Sequence, residues 1–261
     1  MSCNKSNLAR AKAAKDDEFY TLYETVSNEL IHYKDELKGK VIYCNCDTDE
    51  SNFVKFLNEV KEEWGIKEVI HTSLQEGVDF RSDESVEILK KCDVVISNPP
   101  FSLAREYYKQ ILDYGKDYII LFNLNFFSIE FVFDEIKNER AFLGKSITNG
   151  HTNFLRPDGS TKQVSTFFLQ SFKYFDKPDF NFYSCEDDEE YDYFDDTNYL
   201  NVDKTREIPE IYDIVMAVPI SFLYLAYNNR QFKLLGLLKR GTIYGYEKYV
   251  RILLELKKNE S

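Results

Sequence analysis

A repeated unit constrains this chain more than any other feature: a short apolar run that ends abruptly in polar residues, followed by a stretch with helical spacing. Lys38-Gly39-Lys40 leads into Val41-Ile42-Tyr43-Cys44, and the run stops at Asn45-Cys46-Asp47. A strand buried on both faces reads this way, because nothing along it meets water before its carboxyl end. Phe53, Phe56, Leu57, Val60 and Trp64 then recur at helical spacing, and Gly65 supplies the stop. The same logic predicts strands over 68–72, 93–97 and 118–122, with helices over 85–91, 103–114 and 131–138 between and after them. Alternating strands and helices with short connections specify an α/β, Rossmann-like fold whose mainly parallel sheet is covered by helices on both faces. Ligands of such sheets bind beyond the carboxyl ends of the strands. Asn45-Cys46-Asp47, Asn98-Pro99-Pro100-Phe101 and Asn123-Leu124-Asn125 all fall at those ends.

After Gly144 the alternation stops. Gly150, Pro157, Asp158-Gly159 and Pro178 punctuate short segments, among which 164–172 is the best strand. The expected division is therefore a sheet domain over 1–172, completed by edge strands, and a smaller irregular part over 173–261. The acidic run Glu186-Asp187-Asp188-Glu189-Glu190, followed by Asp192, Asp195 and Asp196, reads as a solvated surface loop.

Composition narrows the function. Hydrophobic residues at 43% and aromatics at 16% supply enough apolar area for an ordered core. A net charge of -12 counts against sequence-independent nucleic-acid binding, which normally rests on a surplus of cations, but it leaves room for a local basic face. Five cysteines, an odd number lying mostly in or beside strands, read as reduced thiols of a cytosolic protein. Cys44 and Cys46 have no second pair or histidine cluster near them in sequence, so no metal site is expected. The three histidines, His32, His71 and His151, are isolated. With no apolar run of membrane-spanning length and a polar N-terminus, a soluble cytoplasmic protein is expected.

Asn98-Pro99-Pro100-Phe101, directly after a strand, is the sharpest chemical signal. The exocyclic N6 of adenine is a poor nucleophile because its lone pair is delocalised into the ring. An Asn side-chain carbonyl and the next backbone carbonyl can accept both N6 hydrogens, and two prolines hold the loop rigid. Phe101 offers a flat apolar surface for an extruded base. The plain alternative is a Pro-Pro turn that ends a strand, with Phe101 in the core.

Five blocks in chain order resemble one family. They are Asp17-Glu18-Phe19-Tyr20-Thr21; Tyr43 to Asp47 with Ser51-Asn52-Phe53; Asp79-Phe80-Arg81-Ser82; Asn98 to Ser102; and Val215-Met216-Ala217-Val218-Pro219-Ile220-Ser221-Phe222-Leu223. Together they resemble the EcoRI-type adenine-specific DNA methyltransferases. The resemblance implies a seven-stranded sheet, S-adenosyl-L-methionine as methyl donor bound by the 1–172 domain, and adenine N6 in double-stranded DNA as acceptor. It assigns Asn98, Pro99, Pro100 and Phe101 to catalysis. Phe19, Tyr20 and Thr21 would form an N-terminal cofactor motif, Asn45 and Asp47 would lie by the methionine end of the cofactor, and Asp79 and Phe80 by its adenine. No metal is required, since a sulfonium already offers an excellent leaving group. A cognate restriction endonuclease is the partner enzyme such a system implies. Two departures stand out: the first long strand ends without a Gly-rich turn, and Thr48-Asp49-Glu50 is shorter and more acidic than the family's segment there. Read without the family, Asp47 and Asp79 equally suit helix capping or a solvated loop.

Arg105, Arg230, Lys233, Lys239 and Arg240 are the candidate DNA contacts, against the plain reading of a solvated basic face. Target recognition would sit after Gly144, in the 173–261 part. Three other readings remain: the same loop acting on RNA or a protein amide, an inactive relative that binds DNA or protein, and an acidic mimic of DNA.

Overall fold

The computed structural model describes residues 20–73, 77–156, 158–173, 175, 179–184, 191–226 and 231–258. The chain forms two compact units. The first comprises residues 1–123, 144–147 and 151–172, and the second 124–143, 148–150 and 173–261.

Seven strands of the first unit form one continuous path in its sheet: β1 (Tyr20–Thr21), β2 (Val41–Cys44), β3 (Glu68–His71), β4 (Val94–Ser97), β5 (Asp117–Asn123), β6 (His151–Leu155) and β7 (Thr161–Gln170). They lie in the order β1-β6-β7-β5-β4-β2-β3. β2 pairs parallel with β3 and with β4, and β4 pairs parallel with β5. β7 runs antiparallel to β5 and to β6, and β1 antiparallel to β6. Five strands therefore point one way and two, β7 and β1, the other. Every residue of β2 and of β4 is buried, as a strand covered on both faces must be.

Chain order places β3 on one side of β2 and β4 on the other. The connections thus diverge between β2 and β4, and the carboxyl ends of these two strands open the crevice where such sheets bind ligands. Helix α1 (Tyr23–Leu30) follows β1, α2 (Asn52–Trp64) follows β2, α3 (Asp83–Lys91) precedes β4, and α4 (Ala104–Asp113) follows β4 after a 3-10 turn, Phe101–Leu103. α2 starts where Ser51 Oγ accepts from the Phe53 N–H (3.2 Å) and stops at Gly65, whose φ of 65° suits glycine.

Glu29 of α1 is fully buried and accepts from the Tyr33 hydroxyl (2.6 Å) and the backbone N–H groups of Lys145 (3.0 Å) and Ser146 (2.8 Å). Those bonds hold residues 144–147 in the first unit.

The second unit contains α5 (Glu130–Lys137), α6 (Phe222–Ala226) and a sheet of its own. That sheet consists of β8 (Leu200–Asn201), β9 (Met216–Pro219), β10 (Phe232–Leu238) and β13 (Arg251–Leu256), in the order β10-β13-β9-β8. β11 (Gly241–Ile243) and β12 (Tyr246–Lys248) form a separate hairpin. The stretch read from sequence as irregular is thus organised around short strands, antiparallel except for the β8–β9 pair.

Candidate active site

The carboxyl end of β2 carries Asn45 and Asp47, and that of β4 carries Ser97 and Asn98. Asp47 joins the two. One of its oxygens accepts from Ser97 Oγ (2.8 Å), the other from Ser51 Oγ (2.6 Å), and the backbone N–H of Asn98 donates to it as well. Burial nevertheless outweighs these bonds and pushes the Asp47 carboxyl up to about 6. Burial also raises the Cys44 and Cys46 thiols well above their usual range, so neither serves as a nucleophile at neutral pH.

Past Asn98 the loop turns through buried Pro99 and half-buried Pro100 into the 3-10 turn, closed by a bond from the Leu103 N–H to the Pro100 carbonyl (2.9 Å). Proline fixes φ at both central positions, so the Asn98 side chain and the Pro99 carbonyl leave β4 in a preset direction. The Phe101 ring is half-buried and meets Phe154 of β6 at 6.3 Å with the planes at 88°. β6 in turn pairs with β1, placing Thr21 opposite Phe154 and Tyr20 opposite Leu155. Asn52, the first residue of α2, donates from Nδ2 to the Thr21 carbonyl (2.7 Å). β1, α2 and the Asn98 to Phe101 loop are thereby linked through adjoining contacts.

Asn45 is 2% exposed, and its Oδ1 accepts from the fully buried hydroxyl of Tyr107 on α4. Among the described residues its Nδ2 is buried with no hydrogen-bond partner, and so is Thr21 Oγ1. A buried polar group left unmet costs about 1–3 kcal/mol, so two of them among the residues read as cofactor-binding suit a polar ligand. Asp79 is engaged differently. Arg81 binds its carboxylate through Nε (2.8 Å) and a second nitrogen (2.6 Å), and these bonds hold its pKa below the usual range. The same guanidinium lies 5.2 Å from the centre of the Phe80 ring, which Tyr107 meets edge-on at 5.3 Å.

The structure therefore brings Tyr20, Thr21, Asn45, Asp47, Asp79, Phe80 and Asn98 to Phe101 into one unit, on or next to strands β1, β2 and β4 or in the segment before α3. Ser97, Tyr107 and Phe154 join them without having been singled out from sequence, and Ser51 joins them having been named only within a block of the family resemblance. Only Ser51 carried a signal, as an N-cap residue ahead of an apolar run. Phe19 and Arg230 lie outside the described residues. Arg105 is exposed on α4. In the second unit Lys233 pairs with Glu255 (2.7 Å), Lys239 pairs with Glu130 (2.6 Å), and Arg240 is exposed.

Sheet and loop together define a class: α/β methyltransferases with an Asn-Pro-Pro-aromatic loop at the carboxyl end of a central strand. A family model described as adenine-specific methyltransferase EcoRI matches residues 7–78 and 58–260. The chain is 31% identical over 325 aligned positions to the type II methyltransferase M.EcoRI of Escherichia coli, with 99% of each protein covered. It is 28% identical over 271 positions to the type II methyltransferase M.MpnI of Mycoplasma pneumoniae, covering 88% of this chain and 85% of that relative. This chain belongs to the EcoRI family of adenine-specific methyltransferases, enzymes that act on DNA and require a methyl donor. No helix among the described residues is long and apolar enough to cross a membrane.

Proposed function

We propose that the chain binds S-adenosyl-L-methionine beyond the carboxyl ends of β2 and β4 and methylates N6 of an adenine swung out of duplex DNA. The observation that carries this reading is the Asn98-Pro99-Pro100-Phe101 loop at the carboxyl end of β4, tied through Asp47 to the end of β2. Asn45 Nδ2 and Thr21 Oγ1, buried and without partners among the described residues, support a polar cofactor there. When bound, the cofactor supplies a methyl group on a sulfonium whose thioether is a good leaving group. The chain's residues do the rest. Asn98 Oδ1 and the Pro99 carbonyl accept the N6 hydrogens, drawing the nitrogen toward tetrahedral geometry and stabilising the positive charge that develops on it. The exposed part of the Phe101 ring gives the extruded base a surface to stack on.

The first unit would house this chemistry, and residues 173–261 would carry target recognition, with Arg105, Arg230, Lys233, Lys239 and Arg240 facing phosphates. Because the relatives above are named type II methyltransferases, the reading extends to a restriction–modification setting with a cognate endonuclease as the partner enzyme.

DNA from cells expressing the chain, sequenced with detection of N6-methyladenine, should show the mark in one fixed sequence context. Replacing Asn98 by Ala removes one acceptor from the transition state. By analogy with the loss of one oxyanion-hole donor, turnover should fall roughly 100- to 1,000-fold. Binding of S-adenosylhomocysteine, followed by calorimetry, should stay within a few-fold. Near-wild-type turnover by Asn98→Ala would remove Asn98 from the chemistry.

A further inference from the structure

We propose that Tyr107 is a positioning residue, and that its hydroxyl orients the Asn45 carboxamide so that Nδ2 faces the carboxylate of the bound methyl donor. The assignment rests on the cofactor reading above and extends it to one donor, one acceptor and the residue that sets their geometry.

A carboxamide has an accepting end and a donating end, and its environment decides which way round it sits. Here the group that bonds the accepting end is the buried Tyr107 hydroxyl. Tyr107 is 0% exposed and donates to Asn45 Oδ1, which leaves Nδ2 as the end turned away from it. Burial raises the phenol's pKa well above its usual value, so the hydroxyl keeps its hydrogen across the working pH range. The Ser97 hydroxyl donates to Asp47 and also bonds the Tyr107 side chain, so Tyr107 and Ser97 belong to one buried network beside the amide. Among the described residues Nδ2 is then a buried donor with no acceptor, at the carboxyl end of the strand that borders the crevice. Such a donor matches a ligand oxygen. A carboxylate is the strongest acceptor the methyl donor offers, and its charge strengthens the bond from the amide N–H.

Tyr107 contributes from α4, the helix that begins three residues beyond Phe101, and its ring also rests against Phe80. The cofactor side of the crevice and the loop that would hold the target base thus share one aromatic residue. Sequence alone hides it, because Ala104, Tyr107, Tyr108 and Ile111 read as the buried stripe of a helix and are one.

The test compares two ligands by calorimetry on the full chain. S-adenosylhomocysteine carries the carboxylate; 5′-methylthioadenosine has the same adenosine and sulfur but lacks the amino-acid end. Tyr107→Phe should weaken S-adenosylhomocysteine by roughly tenfold or more, the loss of one charge-assisted hydrogen bond, and leave methylthioadenosine unchanged. Asn45→Asp, nearly isosteric, replaces the donor by a like charge and should abolish S-adenosylhomocysteine binding while sparing methylthioadenosine. In Asn45→Ala the further change Tyr107→Phe should cost nothing more, because the two act as one unit. A folded Tyr107→Phe that binds S-adenosylhomocysteine as the wild type does would overturn the assignment and leave the proposed function standing. Equal weakening of both ligands would also overturn it, showing general damage to the pocket. A wild-type protein that binds neither ligand would remove the cofactor reading and this assignment with it.

Discussion

Asp47 carries a burial penalty that its three hydrogen bonds offset only in part, since its carboxyl still titrates near 6. The folded protein binds this proton more tightly than the unfolded chain does. The group therefore contributes less stability as pH rises from about 4 to about 6, and its full penalty is present above that. Asp47→Asn should consequently melt at a higher temperature than the wild type at pH 8, by an amount equivalent to about 2–3 kcal/mol, with the difference vanishing toward pH 4. Activity moves the other way. Only the ionised carboxylate accepts fully from Ser97, Ser51 and the Asn98 N–H, so kcat/KM should fall on the acid side of pH 6. A pH–rate profile of Asp47→Asn should be low and lack that limb, whereas an unchanged limb would place the titrating group elsewhere.

Phe101 is half-buried and edge-on to Phe154, an arrangement between the stacking platform and the core residue that the sequence allowed. Phe101→Ala should cost less stability than the roughly 3–5 kcal/mol of a fully buried ring. It should also weaken productive DNA binding by about 5- to 150-fold, the worth of one stacked base. A duplex with 2-aminopurine at the target reads the second effect. An undiminished fluorescence rise together with a full core-sized loss of stability would return Phe101 to the core. At this scale Asn45, Asp47 and Asn98 were legible because polar residues interrupt apolar strands at their carboxyl ends. Ser97 and Phe154 were not: Ser97 is a small residue at the end of an apolar run, and Phe154 is a buried ring in a strand whose inward side chains alternate with exposed ones, so both read as packing.

Ser51 shows an element and a site sharing one side chain. Its oxygen accepts from the Phe53 N–H to start α2, and its hydrogen goes to Asp47. Ser51→Ala should cost about 1 kcal/mol for the lost cap. It should also shift the acid limb of the rate profile to higher pH, because Asp47 loses a bond to its charged form. A shift in the urea midpoint with no movement of the limb would reduce Ser51 to a cap. Among the elements, β2 to β5 and the helices around them were readable, because long apolar runs and helical periodicity are local signals. β1 is two residues long and is a strand only through its pairing with β6. Likewise β8, β9, β10 and β13 draw their register from partners far along the chain, which periodicity within one segment does not report.

At the scale of the molecule, a net charge of -12 must be reconciled with a polyanionic substrate. Two of the cations read as phosphate contacts, Lys233 and Lys239, are already neutralised by Glu255 and Glu130. Such exposed pairs contribute little to stability and are open to competition from phosphate. The double change Glu130→Gln with Glu255→Gln should therefore tighten DNA binding and steepen its salt dependence by about one unit of log–log slope for each lysine that meets a phosphate. Anisotropy measurements across a salt series would show this; an unaltered slope would assign both lysines to a solvated face. The two compact units were only partly legible, because 124–143 continues the strand–helix rhythm yet belongs to the second. The chain passes between units after residues 123, 143, 147, 150 and 172, and Glu29 pins the brief return at 144–147. With target recognition in the second unit, as proposed, a lineage that alters its target sequence cannot graft a foreign recognition part at a single joint near 172. The donor fragment would arrive without 124–143 and 148–150, and the recipient's own α5 would lose the neighbours that cover Val132, Phe133 and Ile136. On that proposal, specificity in such a chain is left to drift by substitution in place.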